Sequence, residues 1–365
     1  MPTVFLPVDL LRSFMNEAMV RAGVPADDAV IVTDVLISSD LRGIESHGIG
    51  RLKLYLDRIR DGVQKAVTKL EIVKESPGTA LLDGNHGMGH LIAYRAMEMA
   101  IQKAGRTGIG AVSVRNGTHF GIAGYYSLMA VKAGMIGIAV TNARPSVAPT
   151  FGSRPMLGTN PIAFGAPTDE DCPFLLDMGT PITQRGKIEV LEREGKPVPE
   201  GWAIDALGNP ITDPSEVLNN LGKGAASLLP LGGAGEELAG YKGYGLATMV
   251  EILSASLGGG PFCWGLSGID EKGAKVPNRM GHFFIAIDIS RFVDLDAFKK
   301  STGGLMRSLR NSSRLPGKEK IYTAGEKEFE KERLLPNTGI PVNESLQATM
   351  KQVKAEYGIK ADLNF

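Results

Sequence analysis

The sequence lacks an excess of either charge, since 40 Lys plus Arg balance 40 Asp plus Glu among its 365 residues. A balanced chain gives no electrostatic sign of a nucleic-acid partner or of an anionic membrane. It has no uncharged apolar run of the roughly 18 residues that a membrane helix needs. The start of the chain lacks the basic region and the apolar core of a signal peptide. We therefore expect a cytoplasmic protein without nucleic-acid or membrane partners.

Cysteine is also scarce, because Cys172 and Cys263 are the only two. Two cysteines in a chain of this length do not make a disulfide framework, and we expect both to be reduced thiols. The apolar and charged fractions, 43% and 22%, are ordinary for a globular protein with a full core. The length allows two domains, or one large domain with a helical appendage.

The glycine fingerprint of a Rossmann dinucleotide site is absent. Gly84, Gly87 and Gly89 have the wrong order, and the glycines at 258–260 follow an apolar helix instead of opening one. The phosphate-binding P-loop fails as well, because Ile188 stands where that motif needs a hydroxyl. If the chain binds a dinucleotide, it does so with another fold.

Histidine is too sparse for an obvious metal site. His86 and His90 are four residues apart, like two zinc ligands on a helix, but Gly87 and Gly89 lie between them and no glutamate follows His86. We expect turn residues here and no metal. A zinc-dependent hydrolase is the alternative that these two histidines leave open.

The apolar pattern predicts an all-helical start and a sheet after it. Helices are expected over 7–22, from Pro25 to Leu41, and from near Ser46 to Gly62. Strands and helices then alternate as far as about residue 186, with Arg115–Gly117 expected as a turn. Residues 190–230 are expected to be a surface excursion, residues 241–257 a long apolar helix, and residues near 294–310 and 343–357 charged helices.

The segment that opens the third predicted helix is the first candidate for a catalytic or substrate-binding site. On a regular helix His47, Arg51 and Tyr55 share one side, opposite an apolar face that includes Ile49 and Leu52. A proton-transfer group and a phenol would then project beside a guanidinium fork that suits a carboxylate. The alternative is a solvated polar face with a capping histidine.

Two glycine-rich segments are the other candidates. His119 follows a strand and a turn, at a helix start whose free N–H groups suit a phosphate or carboxylate. Lys242 follows the flexible backbone of 228–235 and would suit a pyrophosphate. A capping turn and a surface lysine are the respective alternatives.

Taken in order, these segments resemble the malate/L-lactate dehydrogenase family, which also contains ureidoglycolate and sulfolactate dehydrogenases and a cyclic imino acid reductase. The resemblance covers nearly the whole chain, and the order and spacing of its motifs are what make it specific. The matching stretches are Asp40–Gly48, Asn116–Tyr125, Leu157–Pro161, Leu176–Met178, Leu229–Gly233, Tyr241–Leu246 and Ala324–Glu326.

The resemblance implies an α/β (α+β) fold that is not a Rossmann fold. It implies a mainly antiparallel or mixed sheet that binds NAD or NADP, together with a helical domain. We expect the helical domain to comprise residues 1–73, completed by C-terminal helices within 325–365, and the cofactor domain to comprise residues 74–324. A homodimer is also expected.

The resemblance also implies roles for individual residues. Ser46 and His47 match a proton relay, His119 matches a proton acceptor, Arg51 matches a substrate-binding arginine, and Thr159 and Asn160 match a substrate-side turn. The implied cofactor contacts are His119, Phe120, Gly121, Ala123, Asp177, Met178, Gly179, Leu229, Pro230, Gly325 and Glu326. Tyr55 and Lys242 join the substrate and cofactor sets from the spacing described above.

The expected activity is hydride transfer between NAD(P) and a small 2-hydroxy or 2-oxo acid, with malate and oxaloacetate first. Of the two histidines we favour His119 as the immediate acid and base, with His47 positioning the substrate or relaying the proton. Ureidoglycolate, lactate or sulfolactate oxidation and cyclic imine reduction stay open. The interpretation as a cyclic imino acid reductase is weakened, because Arg185–Lys187 stands where some of these reductases have an aspartate that takes part in the proton relay. A nucleotide-binding protein without turnover is the alternative outside this class.

Overall fold

Seven strands form one mixed sheet in the computed structural model, which describes residues 3–363 and 365. The strands of the chain are β1 (Val4–Leu6), β2 (Glu71–Glu75), β3 (Thr79–Asp83), β4 (Ile109–Gly117), β5 (Met135–Thr141), β6 (Ile162–Ala166), β7 (Phe174–Met178), β8 (Ala203–Asp205), β9 (Ala226–Leu228), β10 (Met280–Asp288) and β11 (Ile340–Val342). The α-helices are α1 (Val8–Arg21), α2 (Ala26–Leu41), α3 (Leu52–Arg60), α4 (Gly89–Thr107), α5 (Gly124–Lys132), α6 (Arg185–Glu194), α7 (Pro214–Leu221), α8 (Gly240–Glu251), α9 (Leu295–Arg310), α10 (Glu326–Thr338) and α11 (Glu344–Tyr357).

The large sheet has the strand order β2-β3-β4-β10-β5-β6-β7. Only β3 and β4 run parallel, connected through α4, and every other neighbouring pair is antiparallel. A Rossmann sheet is mostly parallel. The prediction of an α/β fold with a mainly antiparallel or mixed sheet, distinct from the Rossmann fold, is therefore confirmed.

Small residues let the helices lie close to this sheet. The face of α4 that contacts the sheet is rich in alanine, and Gly110 on β4 lies against the carbonyl of Ala100, where a side chain would overlap backbone. The other face packs Val140 and Phe283 against Val250 of α8. Close contact on both faces keeps the strand ends, which precede the candidate site, in fixed positions.

The two ends of the chain meet in a separate helical layer. β1 pairs antiparallel with β11, with Val4 opposite Val342. Buried side chains of α1, α2, α3 and α11 form one apolar cluster around this pair. The division into 1–73 with 325–365 and 74–324 stays a prediction, and β2 crosses its first limit.

The predicted surface excursion over 190–230 is wrong. Here α6, α7 and the β8–β9 pair enclose a small core of their own, which includes Ile188, Val217 and Leu228. These apolar residues are separated by turns, so they follow neither the helical nor the strand period. They are buried together only after the chain has folded back on itself.

Other local predictions also need correction. The turn expected at Arg115–Gly117 lies inside β4, where Asn116 has a φ of 51° and the pairing with β10 shifts register. The turn residues mark a β-bulge, not the end of the strand. The short strands β1 and β11 and the helix α10 were not predicted. Of the described residues, none lies in a helix long and apolar enough to cross a membrane.

Candidate active site

The segment between α2 and α3 is the first part of the site, and it is not the continuous helix predicted from Ser46. Two short 3₁₀ turns, Glu45–His47 and Ile49–Arg51, precede α3. Gly48 lies between them with an extended ψ of -140°. The carboxylate of Asp40 occupies the space where a side chain at residue 48 would lie, and it accepts the Ile49 N–H at 2.8 Å. The buried carboxyl group of Asp40, whose pKa burial raises to about 8, thus holds the break in the helix.

The break gives His47 and Arg51 fixed positions. Ser46 Oγ lies 2.8 Å from His47 Nδ1, in hydrogen-bond distance, and Arg51 Nε donates to the Ser46 carbonyl at 2.6 Å. The rest of the Arg51 guanidinium is left without a carboxylate among the described residues. Burial and the nearby Arg51 charge lower the pKa of His47 to about 4. Its imidazole is therefore neutral at neutral pH.

His119 approaches from the end of β4. Its ring stacks on the ring of His47, with centroids 5.4 Å apart. Tyr55 Oη lies 2.7 Å from His119 Nδ1, and the Gly121 N–H donates to the same nitrogen at 3.3 Å. Burial first, and then electrostatic interactions with the nearby His47 and Arg58, hold the pKa of His119 well below its usual range.

Tyr55 does not contact the cleft as predicted. Its side chain is fully buried, and burial raises the pKa of the phenol far above its ordinary value, so it stays protonated. A phenol both donates and accepts, so it can bond either tautomer of His119. Because Nδ1 is engaged, Nε2 is the ring nitrogen left to exchange a proton with a ligand.

The two histidines and Arg51 line a cleft of about 380 Å³. The segment from Ser46 to Arg58, residues 143–146 and residues 184–186 all contribute side chains to its lining. Its lining includes the cations Arg51, Arg58, Arg144 and Arg185. It includes no Asp or Glu among the described residues, so the cleft is suited to an anion.

Thr159 and Asn160 lie at different depths. Thr159 lines the cleft, whereas Asn160 is fully buried. The Asn160 amide accepts the Ala143 N–H at 3.1 Å and donates to the buried carboxylate of Glu251 at 2.7 Å. All of its bonds are thus made to protein, and Asn160 holds the cleft wall in place from behind.

The predicted cofactor segments converge along β7 and the residues after it. Leu175 N–H donates to the Ala324 carbonyl, and Asp177 Oδ2 accepts the Gly124 N–H at 2.7 Å. Farther on, Thr180 N–H donates to Thr159 and Ile182 N–H to Leu229. Four segments therefore contact β7 or the residues that follow it, and one of them brings Thr159 into the lining of the cleft.

A second cavity of about 300 Å³ lies beside β7. Asp177 and Gly325 line it, together with Arg42, Tyr322 and Lys327. Gly325 has a φ of 88° and lies within 2.9 Å of Leu175 at the position of an added Cβ, so only glycine leaves this wall open. Ile44 of this cavity is two residues before Ser46 of the cleft, so the two cavities lie close together. Cationic side chains in both linings suit an extended anion such as a nicotinamide dinucleotide.

Most of the other residues that the resemblance assigned to the cofactor line neither cavity. The Gly124 N–H at the start of α5 is taken by Asp177, and Phe120 packs in the core. Glu326 is paired with Lys320 at 2.8 Å, and Lys242 is exposed beside Tyr241. Those that line neither cavity are Phe120, Gly121, Ala123, Met178, Gly179, Leu229, Pro230, Lys242 and Glu326.

Sequence reasoning missed Arg58, Arg144 and Gln184 in the lining of the cleft. Arg58 is seven residues, or two helical turns, after Arg51, so extending the helical period beyond Tyr55 would have found it. Arg144 and Gln184 lie on loops that only the tertiary fold brings to the cleft. No local pattern marks them.

Histidines 86 and 90 do not form a ligand set. His86 lies in a turn with a φ of 61°, and His90 is buried with its ring edge against Tyr55 at a centroid distance of 4.7 Å. The described residues contain no group of three or more side chains placed to hold a metal ion. Cys172 and Cys263 are free thiols.

All the residues that line the cleft belong to a part of the chain that is similar to known proteins. Residues 6–351 match the family model described as malate/L-lactate dehydrogenase. A malate dehydrogenase of Pyrococcus horikoshii is 46% identical over 355 residues, which are 97% of this chain and 96% of that one. A malate/(S)-sulfolactate dehydrogenase of Methanothermus fervidus is 39% identical over 352 residues, 96% of this chain and 97% of that one. The crystal structure of a malate dehydrogenase from Entamoeba histolytica matches with a TM-score of 0.96 and 44% identity over the whole of both chains.

Proposed function

Because the chain belongs to the malate/L-lactate dehydrogenase family, and is therefore an oxidoreductase of hydroxy acids, we propose that it interconverts malate and oxaloacetate with NAD or NADP. The observation that carries the proposal is the stacked pair His47 and His119 beside Arg51, in a cleft lined by arginines. A proton carrier next to a carboxylate-binding fork is what oxidation of a 2-hydroxy acid requires.

Binding is the first task of these residues. The Arg51 guanidinium keeps both of its terminal NH2 groups for a substrate carboxylate, since only its Nε is held by Ser46. Thr159 adds a hydroxyl to the lining of the same cleft. Holding the carboxylate fixes the neighbouring hydroxyl-bearing carbon relative to both histidines.

Proton transfer is the second task, and we assign it to His119. In oxidation the substrate hydroxyl gives its proton to Nε2 of His119. This requires the tautomer with the ring proton on Nδ1, which then donates to Tyr55 and gives up the longer contact with the Gly121 N–H. In reduction Nε2 returns that proton to the carbonyl oxygen. When bound, NAD or NADP would supply the hydride chemistry at the carbon that bears this oxygen. His47, held by Ser46, adds to the positive field at the substrate oxygen only when it is protonated.

The lowered pKa of His119 fits this assignment. Its neutral form is ready to act as a base at neutral pH. An anionic substrate offsets part of the charge of Arg51 and Arg58, which raises the pKa of His119 when the substrate is bound. Proton uptake in reduction is thereby coupled to binding.

The test is a steady-state assay of the purified protein with oxaloacetate and with either NADH or NADPH. We expect turnover with at least one cofactor, and side-by-side Michaelis constants decide between NAD and NADP. Binding of reduced cofactor without oxidation by any 2-oxo acid would instead identify a nucleotide-binding protein without turnover.

We further propose a homodimer, with one face of α8 and of the π-helical turn Ile252–Ser256 as the contact surface. Tyr241, Met249 and Ile252 lie on it with exposed fractions of 48%, 41% and 54%, and Leu257 follows. Gly245 between them has nothing within 4 Å of an added Cβ, so a second helix has room to approach. An apolar patch on a helix favours association with a second copy about a two-fold axis.

A further inference from the structure

Among the residues that the structure describes, two arginines of the cleft have no partner for their charge. Arg58 follows Asp57, but that carboxylate is already bound by Lys53 at 2.8 Å and by Arg60 at 2.9 Å. Arg144 also lines the cleft, is exposed, and makes no side-chain hydrogen bond or ion pair with any described residue. Both guanidinium groups are therefore available to a ligand.

The other two arginines of the cleft are partly engaged. Arg185 Nε pairs with Glu189 at 2.9 Å, so most of its charge is offset within α6. Arg51 holds the Ser46 carbonyl through Nε and keeps its remaining donors for one carboxylate. A single carboxylate on Arg51 thus leaves Arg58 and Arg144 unsatisfied.

Clustered cations without acids repel one another, and a bound anion relieves that repulsion. Burial first, and then the charges of Arg144 and Arg51, lower the pKa of Arg58, opposed by Tyr55. Arg58 is thus within electrostatic reach of both. A ligand with one negative group offsets less of this field than a ligand with two.

We propose that Arg58 and Arg144 form a second anion subsite, which binds the distal acidic group of a dianionic 2-hydroxy or 2-oxo acid while Arg51 holds the carboxylate beside the reacting carbon. The assignment rests on the proposed function for the identity of the reacting carbon. It makes the enzyme selective for diacids over monoacids, because an acid with a methyl group at its far end leaves the half-buried Arg58 and the exposed Arg144 without an anion.

The test measures binding without turnover. Enzyme saturated with reduced cofactor is titrated with L-malate and with L-lactate by calorimetry, since neither acid reacts with a reduced nicotinamide. We expect malate to bind more tightly in the unmodified protein. The ratio of the two affinities should fall roughly 10- to 100-fold in Arg144→Gln and in Arg58→Gln, because each loses a charged hydrogen bond to the distal group. Arg106→Gln, an exposed arginine outside the cleft, is the matched control and should keep the ratio.

Equal affinities for malate and lactate in the unmodified protein would overturn the subsite. So would weakened cofactor binding in Arg144→Gln with an unchanged malate-to-lactate ratio, because the arginines would then bind cofactor phosphates. If malate binds selectively but is not oxidised with NAD or NADP, the subsite is supported and the proposed function fails. The two ideas are thus tested separately.

Discussion

His47 and His119 lie stacked in one cleft, but their other ring contacts differ. His47 Nδ1 meets Ser46, whereas His119 Nδ1 meets the fully buried phenol of Tyr55. We expect His119→Gln to lower turnover on the order of 10²–10⁴-fold, as loss of an acid–base group does. His47→Gln should cost less.

The pH profile of malate oxidation separates the two histidines. A lowered pKa means that the base is neutral until the pH falls well below 6.5, so the acidic limb of kcat/KM lies there. His119→Gln should lose this limb and still bind reduced cofactor. Loss of the limb in His47→Gln alone would reverse the assignment.

Tyr55 is expected to act through His119. Tyr55→Phe keeps the ring in its apolar site and removes only the hydroxyl, so the loss of stability should be about 1 kcal/mol. Turnover should fall about tenfold or more, since the ring of His119 loses its orienting bond. The deciding measurement is the pH profile of kcat. If Tyr55 had only a structural role, Tyr55→Phe would lower the melting temperature and leave that profile unchanged.

At the scale of elements, the break before α3 decides whether His47 and Arg51 face the cleft. In Gly48→Ala the new methyl group overlaps the Asp40 carboxylate. We expect a loss of about 1–3 kcal/mol in unfolding free energy, as for other overpacked sites, together with a higher KM for oxaloacetate.

Gly50→Ala is the matched control, two residues away. Its added Cβ would meet only the Glu45 carbonyl, at 3.4 Å. Denaturant unfolding and Michaelis constants should be nearly unchanged in this variant. If Gly48→Ala behaves like Gly50→Ala, the packing on Asp40 does not hold the segment.

The same segment shows what the sequence could and could not predict. His47, Arg51 and His119 were found from motif and spacing, and they do line one cleft. The helix expected to start at Ser46 was wrong because a tertiary contact with Asp40 overrides the local period. Tyr55 was predicted to project into the cleft beside His47 and Arg51. Its hydroxyl instead meets His119, and the local helical period contains no sign of this contact between distant parts of the chain.

The long helices and the strands with strong apolar patterns were predicted well, α1, α2, β5 and α11 among them. β1 and β11 have three residues each and owe their existence to each other. Neither strand has an alternating apolar pattern in its own sequence, because the strands are stabilised by pairing between the two ends of the chain. Arg144 was missed for a similar reason, because only the tertiary fold brings its loop to the cleft.

For the whole molecule, the proposed dimer gives a direct prediction. Ile252→Glu puts a charge into the exposed apolar face of α8 and its π-helical turn, where burial of an unpaired carboxylate opposes association. We expect a dimer for the unmodified protein and a monomer for the variant by light scattering at micromolar concentration. A fully active unmodified monomer would contradict the proposal. Val30→Glu, an exposed apolar residue of α2, is the control.

Buried histidines also set how the whole fold responds to acid. Burial lowers the pKa of His90 to about 3, against 6.5 for the free side chain. The unfolded chain thus binds a proton that the folded chain does not between these values, and stability falls as the pH drops from 6.5 towards 3. His90→Leu should lose less melting temperature between pH 8 and pH 5 than the unmodified protein does. Equal losses would show that His90 is not held neutral.

The place of β10 in the sheet bears on how the protein is made. This strand, residues 280–288, lies between β4 and β5, which leave the ribosome more than a hundred residues earlier. Until it is synthesised, the nascent chain holds two strands with unpaired inner edges, and unpaired edges invite pairing with other chains. Helices α4 and α5 can form during translation, but the sheet that carries His119 closes only when synthesis is about four-fifths complete. A chaperone that shields strand edges would therefore act on this enzyme late in translation, over the interval between β5 and β10.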